Sequence, residues 1–178
     1  SWTGVGSFSN VAFNCVAYGN GKFVAMYGTV ASPGAYSSNG ISWSAVSSDS
    51  TANLSYNGVV YGGDKFVAIN GGANASRPNL GVSSDGTSWT TLFLDGDLNS
   101  TNWQDVTYGN GLFVAVGYQG TNNAMYSADG LKWTPIALAE INNNNWWAIT
   151  HGSGVFASVV YGSTTAMWSS TGTNVGQT

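Results

Sequence analysis

Trp103–Thr134 reads WQDVTYGNGLFVAVGYQGTNNAMYSADGLKWT, and this stretch decides the fold because the chain repeats it. Aligned on the tyrosine-glycine turn, Tyr108-Gly109-Asn110-Gly111-Leu112-Phe113-Val114-Ala115 matches Tyr18-Gly19-Asn20-Gly21-Lys22-Phe23-Val24-Ala25 and Tyr61-Gly62-Gly63-Asp64-Lys65-Phe66-Val67-Ala68. A divergent copy stands at His151-Gly152-Ser153-Gly154-Val155-Phe156-Ala157-Ser158. The copies start at 18, 61, 108 and 151, which are 43, 47 and 43 residues apart. A second motif follows each turn: Ser37-Ser38-Asn39-Gly40-Ile41-Ser42-Trp43, Ser83-Ser84-Asp85-Gly86-Thr87-Ser88-Trp89 and Ser127-Ala128-Asp129-Gly130-Leu131-Lys132-Trp133. The fourth copy, Ser169 to Val175, lacks both the acid and the tryptophan.

Each repeat holds four short apolar runs with turn residues between them. In the third repeat these are Trp103–Tyr108, Leu112–Tyr118, Ala124–Ser127 and Leu131–Ile136. Asn-Gly and Asp-Gly between apolar runs predict type I′ hairpins, in which both turn residues take positive φ. A unit of about 45 residues with four strands is the pattern of a β-propeller blade. The second run, Phe113-Val114-Ala115-Val116, is apolar at consecutive positions, as a strand buried on both faces between neighbouring blades requires.

The expected fold is therefore all-β: a four-bladed β-propeller, four antiparallel strands per blade, in a single domain over 1–178. The blades fall at about 13–46, 54–93, 103–136 and 146–175. Ser1-Trp2-Thr3 resembles the outer-strand starts Ser88-Trp89-Thr90 and Lys132-Trp133-Thr134, so residues 1–5 are expected to complete blade four and close the ring. Counting from 151 round through the termini to 18 gives 45 residues, which agrees with the other intervals.

The Ser-Asp-Gly-Trp copies resemble the Asp-box repeat of sialidase-like propellers, whose usual spacing is Ser-x-Asp-x-Gly-x-x-Trp. Here one residue is missing between Asp85 and Gly86, and between Asp129 and Gly130. A closer likeness, over nearly all of the chain, is to the Tyr-Gly-Asn-Gly-x-Phe-Val-Ala-Val-Gly repeats of bacteriophage tail proteins and bacterial surface proteins. The resemblance implies that Asp85 and Asp129 brace their hairpins through turn amides while Trp89 and Trp133 pack inside the blade. It also sets a test for sialidase chemistry, which needs an arginine cluster. The chain has one arginine, Arg77.

Composition points away from catalysis. Charged residues make up 7% and aromatics 13% of the 178 residues, with a net charge of −4. Glu140 is the sole glutamate and His151 the sole histidine, so neither a facing carboxylate pair nor a Ser-His constellation is indicated. His151 occupies the column of Tyr18, Tyr61 and Tyr108 and reads as their structural substitute. Cys15, the only cysteine, aligns with Gly58, Asp105 and Ala148, a small-residue column near the axis. Asp95-Gly96-Asp97-Leu98-Asn99 begins like a calcium loop, but Ser100 and Val106 stand where its glycine and bidentate glutamate belong. A solvated loop is the expectation, with no metal and no cofactor. The absence of a basic run makes nucleic acid an unexpected partner. No apolar run approaches the length of a membrane span. Neither a signal peptide nor an initiating methionine is visible, so an excised domain or processed product is expected.

What remains is aromatic and amide-rich binding chemistry. The turns joining first to second and third to fourth strands are nearly constant. The loops joining second to third strands, and the connections between blades, differ in every repeat and lie together on the opposite end of the disc. Variable loops on a rigid scaffold are where function concentrates. Phe13, Tyr56, Trp103 and Trp146 form an aromatic column at the start of the innermost strands, with Trp147 following. One reading is packing between blades. The other is a set of platforms for a sugar, with Tyr118, Arg77, Asn79, Asn122, Asn123, Asn143 and Asn144 nearby. The functional expectation is a non-catalytic binding module for carbohydrate or another cell-surface receptor, extracellular or virion-associated, on a phage tail tip or secreted bacterial protein. The alternative is an assembly domain docking another subunit, with multimerisation in a larger assembly.

Overall fold

The computed structural model describes residues 12–27, 33–49, 54–72, 77–136 and 145–173. Blade one comprises β1 (Phe13–Gly19), β2 (Lys22–Tyr27), β3 (Gly34–Ser37) and β4 (Ser44–Ala45), followed by the short β5 (Ser47–Ser48). Blade two holds β6 (Tyr56–Gly62), β7 (Lys65–Asn70), β8 (Leu80–Ser83) and β9 (Ser88–Leu92). A 3₁₀ turn at Gly96–Ser100 leads to blade three: β10 (Asn102–Gly109), β11 (Leu112–Tyr118), β12 (Ala124–Ser127) and β13 (Thr134–Pro135). Blade four shows β14 (Trp146–Gly152), β15 (Val155–Val160) and β16 (Ala166–Ser169). Four separate antiparallel sheets stand side by side as the blades of a four-bladed β-propeller. β5 crosses to blade two and pairs parallel with β9 at its outer edge. Residues 1–5, expected to complete blade four, lie outside the described residues, as do Val175, Glu140, Asn143 and Asn144.

The first hairpin of each blade has the expected turn. Asn20 and Gly21, Gly63 and Asp64, Asn110 and Gly111, and Ser153 and Gly154 all have positive φ. The Asp-Gly turns differ from the expectation. Gly86 and Gly130 have positive φ, at 74° and 72°, but Asp85 and Asp129 are not among the positive-φ residues. The reason is the aspartate side chain, which makes the turn itself. Asp129 Oδ1 accepts from Leu131 N (2.8 Å) and Lys132 N (2.9 Å), and Ser127 Oγ accepts from Gly130 N (2.8 Å). Asp85 does the same with Thr87 N (2.8 Å) and Ser88 N (2.9 Å). In blade one Asn39 takes the acid's place, its Oδ1 accepting from Ile41 N and Ser42 N, both at 2.9 Å. These broader turns consume residues the sequence reading gave to outer strands, so the outer strand of blade three is only Thr134–Pro135. Trp89 is buried, and Trp133 donates from Nε1 to Gly130 O at 3.2 Å.

Each innermost strand carries a β-bulge one residue after its aromatic start. The register shifts fall between Phe13 and Cys15, Tyr56 and Gly58, Trp103 and Asp105, and Trp146 and Ala148. A bulge re-aims one side chain relative to the regular alternation. Here the residues at the shifts are Asn14, Asn57, Gln104 and Trp147.

Blades one to two, two to three and three to four join by one repeated joint. A Cβ on Gly19 would collide with the Tyr61 ring, one on Gly62 with Tyr108, and one on Gly109 with His151. Glycine is thus required at a close approach rather than for backbone freedom. His151 takes the tyrosine's seat, with Nε2 placed 3.2 Å from Asn110 Oδ1. Higher in the joint, Val24 packs over Gly86, Val67 over Gly130 and Val114 over Gly172. Polar ties run the same way: Asn20 Nδ2 donates to Ser84 O (3.3 Å), Lys65 Nζ to Asp129 O (2.8 Å) and Asn110 Nδ2 to Ser170 O (3.1 Å).

The stretch from Asp95 to Asn99 keeps its acids in solvent, with Asp95, Gly96 and Asp97 exposed, but it is not irregular throughout. It is part of the 3₁₀ turn, with Leu98 buried and its carbonyl accepting from Trp103 Nε1 at 3.0 Å. An apolar anchor in the middle of the acidic stretch pulls it onto the core.

Candidate functional site

The innermost strands enter from the variable-loop end, and their first halves line a central cleft of about 630 Å³. Every blade contributes: Phe13 to Val16 from blade one, Asn57 from blade two, Gln104 and Asp105 from blade three, Trp147 and Ala148 from blade four. Three of the four bulge residues are amides. Asn14 Nδ2 donates to Tyr56 O and Asn57 Nδ2 to Trp103 O, both at 3.0 Å, so these two tie a blade to the next. Gln104 Nε2 donates to Asn102 Oδ1 at 3.0 Å. The fourth position, Trp147, is a large ring where the others are amides.

Asp105 lies at the wall of the cleft. Its Oδ1 accepts from Val106 N (2.8 Å) and its Oδ2 from Ile149 N (2.9 Å), a bond across to blade four. Burial raises its pKa, with the two amides pulling the other way. Burial, and next the charge of Asp105, push the Cys15 thiol up to about 12, so it stands as an unreactive thiol at neutral pH. Among the described residues no three His, Cys, Asp or Glu side chains are grouped to hold a metal ion.

The predicted site residues separate into two groups. Trp103 and Trp146 are fully buried and belong to the core. They precede the bulge, so their rings point into the blades rather than the cleft, and they cannot stack on a ligand. Asn79 and Asn123 are also buried. Each sits just before a third strand, where its carbonyl accepts a backbone bond, from Asn70 N (2.7 Å) and Gly117 N (2.9 Å) respectively. Their side chains turn inward: Asn79 Oδ1 accepts from Leu94 N and Asn123 Oδ1 from Gly120 N. These four are corrected from ligand-binding candidates to structural residues. Asn122 is half-buried, its carbonyl accepting from Thr101 Oγ1 at 2.8 Å. Arg77 is exposed on the loop before β8 in blade two.

Trp147 and Tyr118 do come together. Their rings stack with centroids 6.2 Å apart and planes at 29°. A third ring, Tyr161, lies 4.9 Å from Trp147 on its own blade. Trp147 is 46% exposed and Tyr161 68%. The three form an aromatic ledge across blades three and four, and its middle ring, Trp147, also lines the cleft. The sequence reading missed Tyr161, although it follows β15 as Tyr118 ends β11. That column reads Gly28, Gly71, Tyr118, Tyr161, with aromatics in two blades only.

Neither a protein-family model nor a curated protein sequence matches this chain. Solved structures do. YCF48 from Cyanidioschyzon merolae aligns with a TM-score of 0.67 at 13% identity over 97% of this chain and 57% of that one. A structure described as YCF48 bound to D1 peptide aligns with a TM-score of 0.63 at 18% identity, over 99% of this chain and 55% of that one. The computationally designed Ika4 protein aligns with a TM-score of 0.62 at 12% identity over 93% and 94% of the two chains. The likeness establishes the propeller fold. The chain spans little more than half the length of the YCF48 chains.

Proposed function

We propose that the protein is a non-catalytic binding module that holds its ligand on the ledge of Tyr118, Trp147 and Tyr161, where Trp147 meets the cleft. The observation that carries this reading is the ledge itself: three adjoining rings, two of them well exposed, on the end of the disc where the loops differ. Aromatic faces placed beside Gln104 and Asn57 suit a sugar ring, whose hydroxyls bond to amides while its apolar face stacks. The ligand class is a glycan of a cell surface, and the setting is extracellular or on a virion. The chain's shortage of acids, bases and histidines supports binding without turnover.

A second reading is a peptide or protein segment laid into the cleft. Two observations favour it. The cleft is lined by backbone-bonding amides and one acid, Asp105. A neighbour of the same fold is described as bound to a peptide.

Binding of the purified chain to a broad glycan array, with Trp147→Ala alongside, tests the proposal. Trp147→Ala is expected to weaken retention about two- to tenfold, from the ~0.5–1.5 kcal/mol of a ring contact beyond its area. Its melting temperature should stay within a few degrees, because the ring is half exposed. An array that stays blank for the folded wild type removes the glycan reading and leaves the peptide one.

A further inference from the structure

The joint described above is built three times, and its two halves also stand unused at the ends of the chain. Gly152 is the seat of blade four, equivalent to Gly19, Gly62 and Gly109, yet a Cβ there would meet nothing within 4 Å. Tyr18 is the ring of blade one, equivalent to Tyr61, Tyr108 and His151, yet it is 61% exposed. Two residues earlier, Val59, Val106 and Ile149 are buried under the preceding blade, whereas Val16 is 62% exposed. On the other side of the gap, Met26, Ile69 and Val116 are fully buried under the following blade, whereas their equivalent Val159 is 51% exposed. Gly40 meets only its own blade's Phe23, where Gly86, Gly130 and Gly172 each meet a valine of the blade before. Among the described residues the inner strands β1, β6, β10 and β14 pack successively, and no comparable packing joins β14 to β1.

We propose that blade four of one copy seats on blade one of a second copy of this chain, so that two copies close a ring of eight blades. The two open faces are complementary because they are the two sides of a joint the chain already makes three times. A ring residue faces an empty glycine seat, and the surrounding residues, Val16 and Val159, are apolar and uncharged. A contact of this head-to-tail kind closes into a ring when its rotation divides the circle, and otherwise runs on into a filament. Closed propellers hold about four to eight blades, so two four-blade copies stay within that range and a third would exceed it.

The 178-residue chain should therefore show twice its 18.4 kDa mass by light scattering at the peak of a sizing column. Gly152→Leu fills the seat without touching its own chain. It should bring the mass down to a single copy while leaving the circular dichroism spectrum unchanged. Tyr18→Ala removes the ring from the other half and should raise the dissociation constant by about tenfold or more. A wild-type chain of single mass across a dilution series overturns the proposal. So does a mass of three copies or more, or a folded Gly152→Leu chain that keeps the paired mass.

Discussion

At the scale of the residue, the aspartates of the third hairpins do the work of a turn that the backbone alone does not make. Asp85 accepts from two backbone amides, from Thr87 Oγ1 (2.7 Å) and from Ser83 Oγ (3.0 Å). Those donors, Ser88 N foremost, hold its carboxyl well below the usual range. Lys132 N and then Leu131 N lower Asp129 in the same sense. A carboxylate with a depressed folded pKa stabilises the fold above its unfolded value, about 3.9, and that contribution disappears as pH falls through the folded value. Asp105 has the opposite sign, because burial raises it. Its contribution is present below the unfolded value and is lost as pH rises through the raised one. Acidification from about pH 5 should therefore lower the melting temperature through the hairpin aspartates, with Asp105 partly opposing the fall. Asp85→Ala should lower stability by about 1 kcal/mol at neutral pH and flatten the acid limb, read from thermal melts across pH. Gly130→Val should cost more, since it needs a φ of 72° and its Cβ would lie 2.8 Å from Val67 Cγ2. Neither change should reduce ligand binding, because both hairpins lie on the end opposite the ledge. Loss of binding with stability intact would reverse the assignment of faces. The brace was what the resemblance to Asp-box hairpins implied, and Asp85 and Asp129 do bond their turn amides. The turn type was not legible in the sequence, since a side-chain acceptor that replaces a backbone conformation leaves the same two letters behind.

At the scale of the element, the innermost strand shows how one inserted position separates structure from function. Trp146 and Trp147 are neighbours in sequence, and a bulge between them sends the first into the core and the second to the cleft. Sequence periodicity located the strand and its aromatic start, but it treats the pair as simple alternation and cannot show which side of the bulge each ring falls on. Hence Trp103 and Trp146 entered the candidate site alongside Trp147. Trp147→Ala and Trp89→Ala make the distinction measurable. Removing the buried Trp89 ring should cost about 3–5 kcal/mol and much of the fold's thermal stability, whereas Trp147→Ala should alter retention of ligand and leave the melt nearly unchanged. The same element carries the blade joint, and there the outcome depends on which blade is changed. Gly62→Val places a Cβ inside the Tyr108 ring and should prevent folding or lower the melting temperature sharply. The identical change at Gly152 meets open space within its own chain and should leave the single copy folded. Equal melts for the two variants would deny that the joint is what aligns the blades.

At the scale of the whole molecule, the four repeats were legible because each copy keeps its turn glycines, and blades one to three keep a buried second strand as well. Closure was less so. The serine-tryptophan-threonine start of the chain carries the expectation of an outer-edge strand for blade four, and it falls outside the described residues. An outer edge and an interblade face are different surfaces. The sequence pattern spoke only to the first, whereas the bare Val16, Tyr18 and Val159 concern the second. Pairing of two copies would also change how the ledge is presented. Each copy brings one ledge of Tyr118, Trp147 and Tyr161, so a paired ring carries two on one rim, facing the same way. A surface that displays many copies of the ligand would then be held by both. The second attachment is an intramolecular step at the effective concentration set by the ring, which can raise retention about a hundredfold or more over the single-site value. Gly152→Leu leaves the ledge untouched and removes only the pairing. Its affinity for a soluble, monovalent ligand should match wild type by titration. Its dissociation from a densely coated surface should be faster by that factor. Trp147→Ala should lose both. A Gly152→Leu chain that leaves the coated surface no faster than wild type would mean that the two ledges do not act together, whatever the number of copies in solution.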